Sequence, residues 1–204
     1  MKKINYKGFT LIELLAVITI MGILMLVAIP AVSRIVENAR CDTFMNTAKA
    51  YINATKNAVA ANEIYCGSSG ISAREGNYYY IMFDSSSPTG KDLIEQGGKS
   101  SWGNADVKGI IIIKKTVEAD RQDYHYYIIM ADSAGHGIGE ARSSISRVIG
   151  EEDLDRDSVK TLDGLKTYYN NNPRPTTSVR IGYEKDDAGN DIIIGGTGAV
   201  ECHL

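Results

Sequence analysis

From Leu14 to Ser33 the sequence holds no charged side chain, and that run matches the ~20 residues an α-helix needs to cross the hydrocarbon core of a bilayer. A transmembrane helix is the first expectation. A soluble helix apolar on all sides would need a large core around it, and the polar remainder of this chain, 23% charged overall, offers none. Lys2, Lys3 and Lys7 precede the run with no acidic residue among them. The positive-inside bias therefore leaves the N-terminus in the cytoplasm and sends Arg34 onward outside, a single pass through the plasma (inner) membrane with an extracytoplasmic head. A secretory signal peptide is cut after its apolar region. Here the basic segment ends at Gly8, ahead of that region, so a cut between Gly8 and Phe9 keeps the hydrophobic helix in the mature protein.

The octapeptide Lys7-Gly8-Phe9-Thr10-Leu11-Ile12-Glu13-Leu14 resembles the class III leader junction of type IV prepilins and of the pseudopilins of type II secretion. Glycine before the cut, phenylalanine after it, glutamate as fifth mature residue and a long apolar helix behind make up that signature, which covers roughly the first fifty residues. The resemblance implies cleavage after Gly8 by a membrane prepilin peptidase and methylation of the Phe9 amine. It also implies an α+β fold of the type IV pilin kind, in which a long N-terminal helix packs on an antiparallel sheet. The expected partners are copies of the chain or other pilins docking through that helix, the peptidase, membrane lipid and an assembly platform.

Glu13 can be argued from chemistry alone. A carboxylate inside a transmembrane segment costs a few kcal/mol or more, and such groups usually have a partner. After cleavage the nearest cation is the Phe9 amine, so pairing Glu13 of one subunit with Phe9 of another would dock helices side by side in register; the resemblance implies the same role. The alternative is that Glu13, near the mature terminus, snorkels to the interface. Gly22 and Pro30 interrupt the apolar run. Proline removes a backbone donor and clashes with the preceding turn, though helices in lipid accommodate it. The resemblance implies lost helical order between the two in a filament, while an ordinary kink at Pro30 fits the sequence equally.

Removing the three leader lysines leaves 19 basic against 25 acidic side chains, which is no nucleic-acid-binding balance. From Ser33 the helical period continues: Ile35, Val36, Ala39, Cys41, Phe44, Met45, Ala48, Tyr51, Ile52 and Val59 form an apolar stripe, with Arg34, Glu37, Arg40, Asp42, Lys49 and Lys56 mostly off it. One helix from Phe9 to about Asn62 would be roughly 80 Å long. The organisation read from this is a leader at 1–8, a transmembrane and polymerisation helix at 9–32, an amphipathic continuation at 33–62 and one globular head at 63–204.

Within the head, Cys66 to Gly70 reads as loop and Asn77 to Phe83 as a strand. Ser87-Pro88 opens a short helix closed by Gly97-Gly98. Val107–Val117 and Tyr124–Ala131 are β-forming runs expected to pair as an antiparallel hairpin. Ile110 to Ile113 is apolar without alternation, the mark of a central strand, here covered by the long helix. Ser133 to Gly139 reads as glycine-rich loop, Glu140 to Ile149 as strand or helix, and Glu151 to Tyr169 as containing a helix. Asn170 to Thr177 reads as irregular, and Val179–Lys185 with Asp191–Ile194 as a second hairpin.

Chemistry-bearing constellations are sparse. Asp132-Ser133 beside His136 invites a hydrolase reading, yet the loop carries no nucleophile signature, so no enzyme activity and no cofactor is assigned. Asp153-Leu154-Asp155-Arg156-Asp157 begins like an EF-hand loop but has Ser158 at its sixth position and Gly164 at its twelfth, without the closing glutamate. No metal is assigned.

Three cysteines remain. With a helix continuous to Asn62, Cys41 lies roughly 31 Å below the helix end, and the four residues from there to Cys66 return at most ~14 Å. A Cys41 to Cys66 bridge is out of reach, whereas Cys202 can reach either. Cys41 sits on the apolar stripe, where a thiol more often simply packs. The expectation is Cys66 to Cys202, which resembles the C-terminal loop closure of many pilins. The function implied is a structural subunit of a type IV pilus-like filament for adhesion, motility or aggregation, with a pseudopilin of a type II secretion or DNA-uptake machine as the alternative.

Overall fold

The computed structural model describes residues 8–66, 69–70, 78–86, 98–103, 105–118, 121–141, 145–171, 180–185, 191–194 and 199–203. Two compact units divide the chain, residues 1–39 and 40–204. Helix α1 is unbroken over Leu11–Ala60, and Asn62, at φ 57°, ends it with a left-handed residue of the kind that closes helices. In the first unit every large apolar side chain from Phe9 to Val36 is exposed. The helix also runs intact through Gly22 and Pro30. Pro30 withholds the donor that would reach the Leu26 carbonyl, and one turn on the Ser33 hydroxyl donates to the Ile29 carbonyl at 2.9 Å.

The second unit is built on one large sheet. Its strands are β1 (Tyr65–Cys66), β2 (Ser69–Gly70), β3 (Tyr78–Asp84), β4 (Val107–Glu118), β5 (Arg121–Asp132), β6 (His136–Ile138), β9 (Ile149–Gly150), β10 (Val159–Thr161) and β13 (Ala199–His203). Between them lie β7 (Glu140–Ala141), β8 (Ile145–Arg147), β11 (Arg180–Lys185) and β12 (Asp191–Ile194), which form a second, smaller sheet. Helix α2 spans Asp163–Asn171. The order across the large sheet is β10-β6-β5-β4-β3-β13-β1-β2, with β9 added beside β5. Pairing is antiparallel except between β13 and β3. In the smaller sheet β11 pairs antiparallel with β12 and parallel with β8. The fold is α+β and pilin-like.

Strands β4 and β5 pair over their whole lengths, Val107 against Asp132 through Glu118 against Arg121. The hairpin is longer than the apolar runs, because Glu118 and Arg121 to Asp123, read as turn, carry the ladder onward. The four isoleucines explain themselves by face. Ile111 and Ile113 join Phe44, Ala48, Tyr51 and Ile52 of α1 in one core. Ile110 and Ile112 join Leu165 and Tyr168 of α2 in the other. A strand buried on both faces has no reason to alternate. Tyr51 stacks on Phe83 at 4.1 Å between ring centres, and Phe44 meets Trp102 at 5.6 Å.

Several segments differ from the sequence expectation. Cys66 is in a strand, because the register opposite β13 gives it ladder partners. Residues 136–138 are strand β6 rather than loop, and a Cβ on Gly137 would stand 2.2 Å from the Met130 carbonyl; this glycine marks a close approach of strands. The single antiparallel sheet expected becomes two sheets, since β7 and β8 pair with each other and β11–β12 joins β8 rather than the large sheet. Residues 151–158 make two 3-10 turns, and helix starts only at Asp163. The short helix expected at 87–97 and the irregular stretch after Asn171 lie outside the described residues.

Two charge pairs tie the outer part of α1 to the 3-10 turns: Arg156 forks onto Asp42 through two 2.7 Å hydrogen bonds, and Lys56 reaches Glu151 at 2.5 Å. The guanidinium holds the Asp42 carboxyl below its ordinary range. The Ser158 hydroxyl and amide do the same for Asp155. A carboxylate whose folded-state pKa is depressed contributes stability that is present above its unfolded value near ~3.9 and is lost as pH falls through the folded value. Asp42→Asn is therefore expected to melt below the wild-type chain at pH 7 and to converge with it under strong acid. A constant gap in thermal midpoint across that range would exclude the pair as the source. Tyr168 supplies a second check. Its hydroxyl is buried and has no hydrogen-bond partner among the described residues, and burial pushes its pKa upward. Tyr168→Phe removes an unsatisfied buried group and is expected to raise stability by ~1 kcal/mol in chemical denaturation; a loss of that size would mean that the hydroxyl is used.

Candidate assembly site at the start of the long helix

Thr10 is the residue before the first helical position, and its side chain faces Glu13 one turn on. The Thr10 amide and the Thr10 hydroxyl both donate to Glu13 Oε2 at 2.8 Å, while the Glu13 amide points to the Thr10 hydroxyl oxygen at 3.4 Å. This is a capping box, in which residue N-cap and residue N3 satisfy each other's free backbone donors. It forms because the first amides of a helix lack partners inside the helix and because a carboxylate in the first turn suits the positive end of the helix dipole. Phe9, immediately ahead, is 92% exposed, and a Cβ on Gly8 would meet nothing within 4 Å. Gly8 and Phe9 are thus both exposed.

The Glu13 carboxylate thus commits one oxygen to Thr10, while the other, Oε1, has no hydrogen-bond donor among the described residues. The sequence reading found Glu13 and missed Thr10. The signal was present: Thr10-Leu11-Ile12-Glu13 is the Ser/Thr-x-x-Glu pattern ahead of an apolar run.

The other candidate residues lie in the second unit. Cys66 and Cys202 are disulfide-bonded, with Cα atoms 4.1 Å apart, directly opposite each other in the β1–β13 ladder. Cys41 is not part of a disulfide. Asp132 is fully buried. Its Oδ1 accepts from the amides of Ala134 and His136 at 2.9 Å, and its Oδ2 lies 2.7 Å from the Ser100 hydroxyl and 2.9 Å from His136 Nδ1. Trp102 stacks flat on the His136 ring at 4.2 Å. The carboxylate fastens a tight turn, and the Ser100 hydroxyl bonds to it rather than to the imidazole, which is not the order a nucleophile and base require. In the acidic 153–157 segment, Asp155 caps the second 3-10 turn and Arg156 is held by Asp42. Among the described residues no group of three or more His, Cys, Asp or Glu is arranged to hold a metal.

A long exposed apolar helix near the N-terminus together with a pilin-like α+β head fits a membrane-anchored pilin. Residues 3–29 match the family model described as the prokaryotic N-terminal methylation motif, and with it the chain carries the hallmark of the prepilin-type signal of type IV pilins and pseudopilins. Neither a curated protein nor a solved structure matches the chain.

Proposed function

We propose that the chain is a structural subunit of a type IV pilus-like filament. It is inserted as a prepilin, cut between Gly8 and Phe9 by a prepilin peptidase, methylated on the Phe9 amine and polymerised through α1. The observation that carries this reading is the Thr10–Glu13 box at the start of a helix whose apolar side chains stay exposed through Val36. An exposed apolar surface of that length needs lipid or other helices around it, and in this reading the second Glu13 oxygen takes the amine of a neighbour. In this reading Gly22 and Pro30 are the points at which α1 yields on packing.

Intact-mass measurement of the membrane-extracted chain tests the first step. The expected species begins at Phe9 and carries one additional methyl group. Retention of residues 1–8 would sink the reading. Mechanical shearing of cells separates the two uses of such a subunit: recovery in the sheared surface fraction supports a pilus, and recovery only within the envelope favours the pseudopilin alternative.

A further inference from the structure

Strands β3, β4, β5 and β6 pair with their neighbours in sequence, so most of the large sheet is a meander of local connections. Strand β13 is the exception. It lies between β3 and β1, parallel to the first from Ala199 opposite Tyr78 to Cys202 opposite Ile81. It is antiparallel to the second, with Cys66 opposite Cys202 and Tyr65 opposite His203. Among the described residues, β1 and β2 meet the rest of the sheet only through β13. Take β13 away, and what remains is a slot one strand wide, edged by the unpaired amides and carbonyls of β3 and β1. Such edges are templates for any strand that fits.

What fits is defined by the occupant. Cys202 is 1% exposed within the helix-side core, and Glu201 accepts a hydrogen bond from the Tyr80 hydroxyl at 3.2 Å. A second copy of the chain offers the same strand with the same side chains, and exchange of identical elements makes the same contacts in either arrangement. Strand pairing therefore does not by itself tell a copy's own β13 from its neighbour's. A covalent bond does, and the disulfide joins this strand to β1 across 136 positions of sequence.

We infer that the Cys66–Cys202 disulfide is a lock that commits β13 to its own head, and that the slot between β1 and β3, once unlocked, is a docking site for β13 of a second copy. The inference holds for any crowded population of this chain and does not depend on the filament reading. Reoxidation joins two thiols with loss of two protons and two electrons. With oxidised glutathione as the oxidant, these convert it to two molecules of glutathione.

The test uses the full chain in detergent micelles, isotopically heavy and light forms mixed in equal amounts. One portion is left oxidised. The other is reduced with dithiothreitol without denaturant and then reoxidised with oxidised glutathione. Both are digested without reduction, and the peptide pair holding Cys66 and Cys202 is weighed. The expected result is no mixed heavy–light pair in the untouched portion. In the reoxidised portion a mixed fraction should rise with protein concentration. Absence of mixed pairs at every concentration would overturn the docking site, and mixed pairs in the untouched portion would overturn the lock. Single-cysteine chains need not fold for this test, since only the wild-type sequence is used. Protease resistance of the reduced portion, matching that of the oxidised one, shows that exchange occurs between folded heads. Mixed pairs formed only with loss of that resistance would count against the slot.

Discussion

Replacing Gly109 by valine is expected to lower the thermal midpoint of the chain by ~10 °C. Gly109 lies in β4 opposite Phe83 on one side and Met130 on the other. A Cβ there would stand 2.4 Å from the Ile129 carbonyl and 2.4 Å from the Phe83 ring. The carbonyl belongs to the longest ladder of the sheet and cannot retreat. The ring is stacked on Tyr51, itself fully buried against the sheet, so it has no room to swing. Overpacking of this kind costs up to ~3 kcal/mol, and each kcal/mol is worth ~2–4 °C in a chain of this size. Fluorescence of Trp102, which packs on Phe44 in the same core, reports the transition in detergent. A shift under ~2 °C would mean that the sheet absorbs the side chain and that the glycine is dispensable.

That glycine shows how far the sequence could be read. The VKGIIIIKKTV run announced a strand, and its unbroken isoleucines announced burial on both faces, because β-forming side chains in a row leave little else to do. The long helix was legible for a similar reason: an apolar stripe from Ile35 to Val59 at helical spacing survives any choice of partner. Its observed bounds, Leu11 and Ala60, fall within two residues of the expectation. What could not be read is non-local. Strand β13 has neighbours more than a hundred residues earlier, and its five residues carry no period long enough to notice. The strands at 140–150 are two or three residues each, kept in place by the sheet rather than by their own propensity. Gly137 looked like a turn because glycine usually marks one, whereas here it makes room for the Met130 carbonyl. Cys66 looked like loop because of the Gly67-Ser68-Ser69-Gly70 that follows it.

At the start of α1 the difficulty was of another kind. Glu13 was legible as a charge in need of a partner, and two of its donors come from Thr10 at the start of its own helix. The capping box gives the carboxylate two donors at once, and this separates two roles that a single deletion would confuse. Glu13→Gln keeps an N3 side chain able to accept from the Thr10 amide but removes the charge. Thr10→Val removes the hydroxyl donor and the cap at a cost of ~1 kcal/mol but keeps the charge. If the carboxylate pairs with the Phe9 amine of a neighbour, Glu13→Gln is expected to reduce incorporation beside wild-type copies at least tenfold, the equivalent of ~1.4 kcal/mol. Thr10→Val should assemble with a smaller loss, and both variants should still insert and be cut. Co-expression with a tagged wild-type chain, followed by quantification of each in purified assemblies, gives the ratio directly. The reverse ranking, with Glu13→Gln incorporated normally and Thr10→Val excluded, would show that the carboxylate serves its own helix and that the amine-pairing account is wrong.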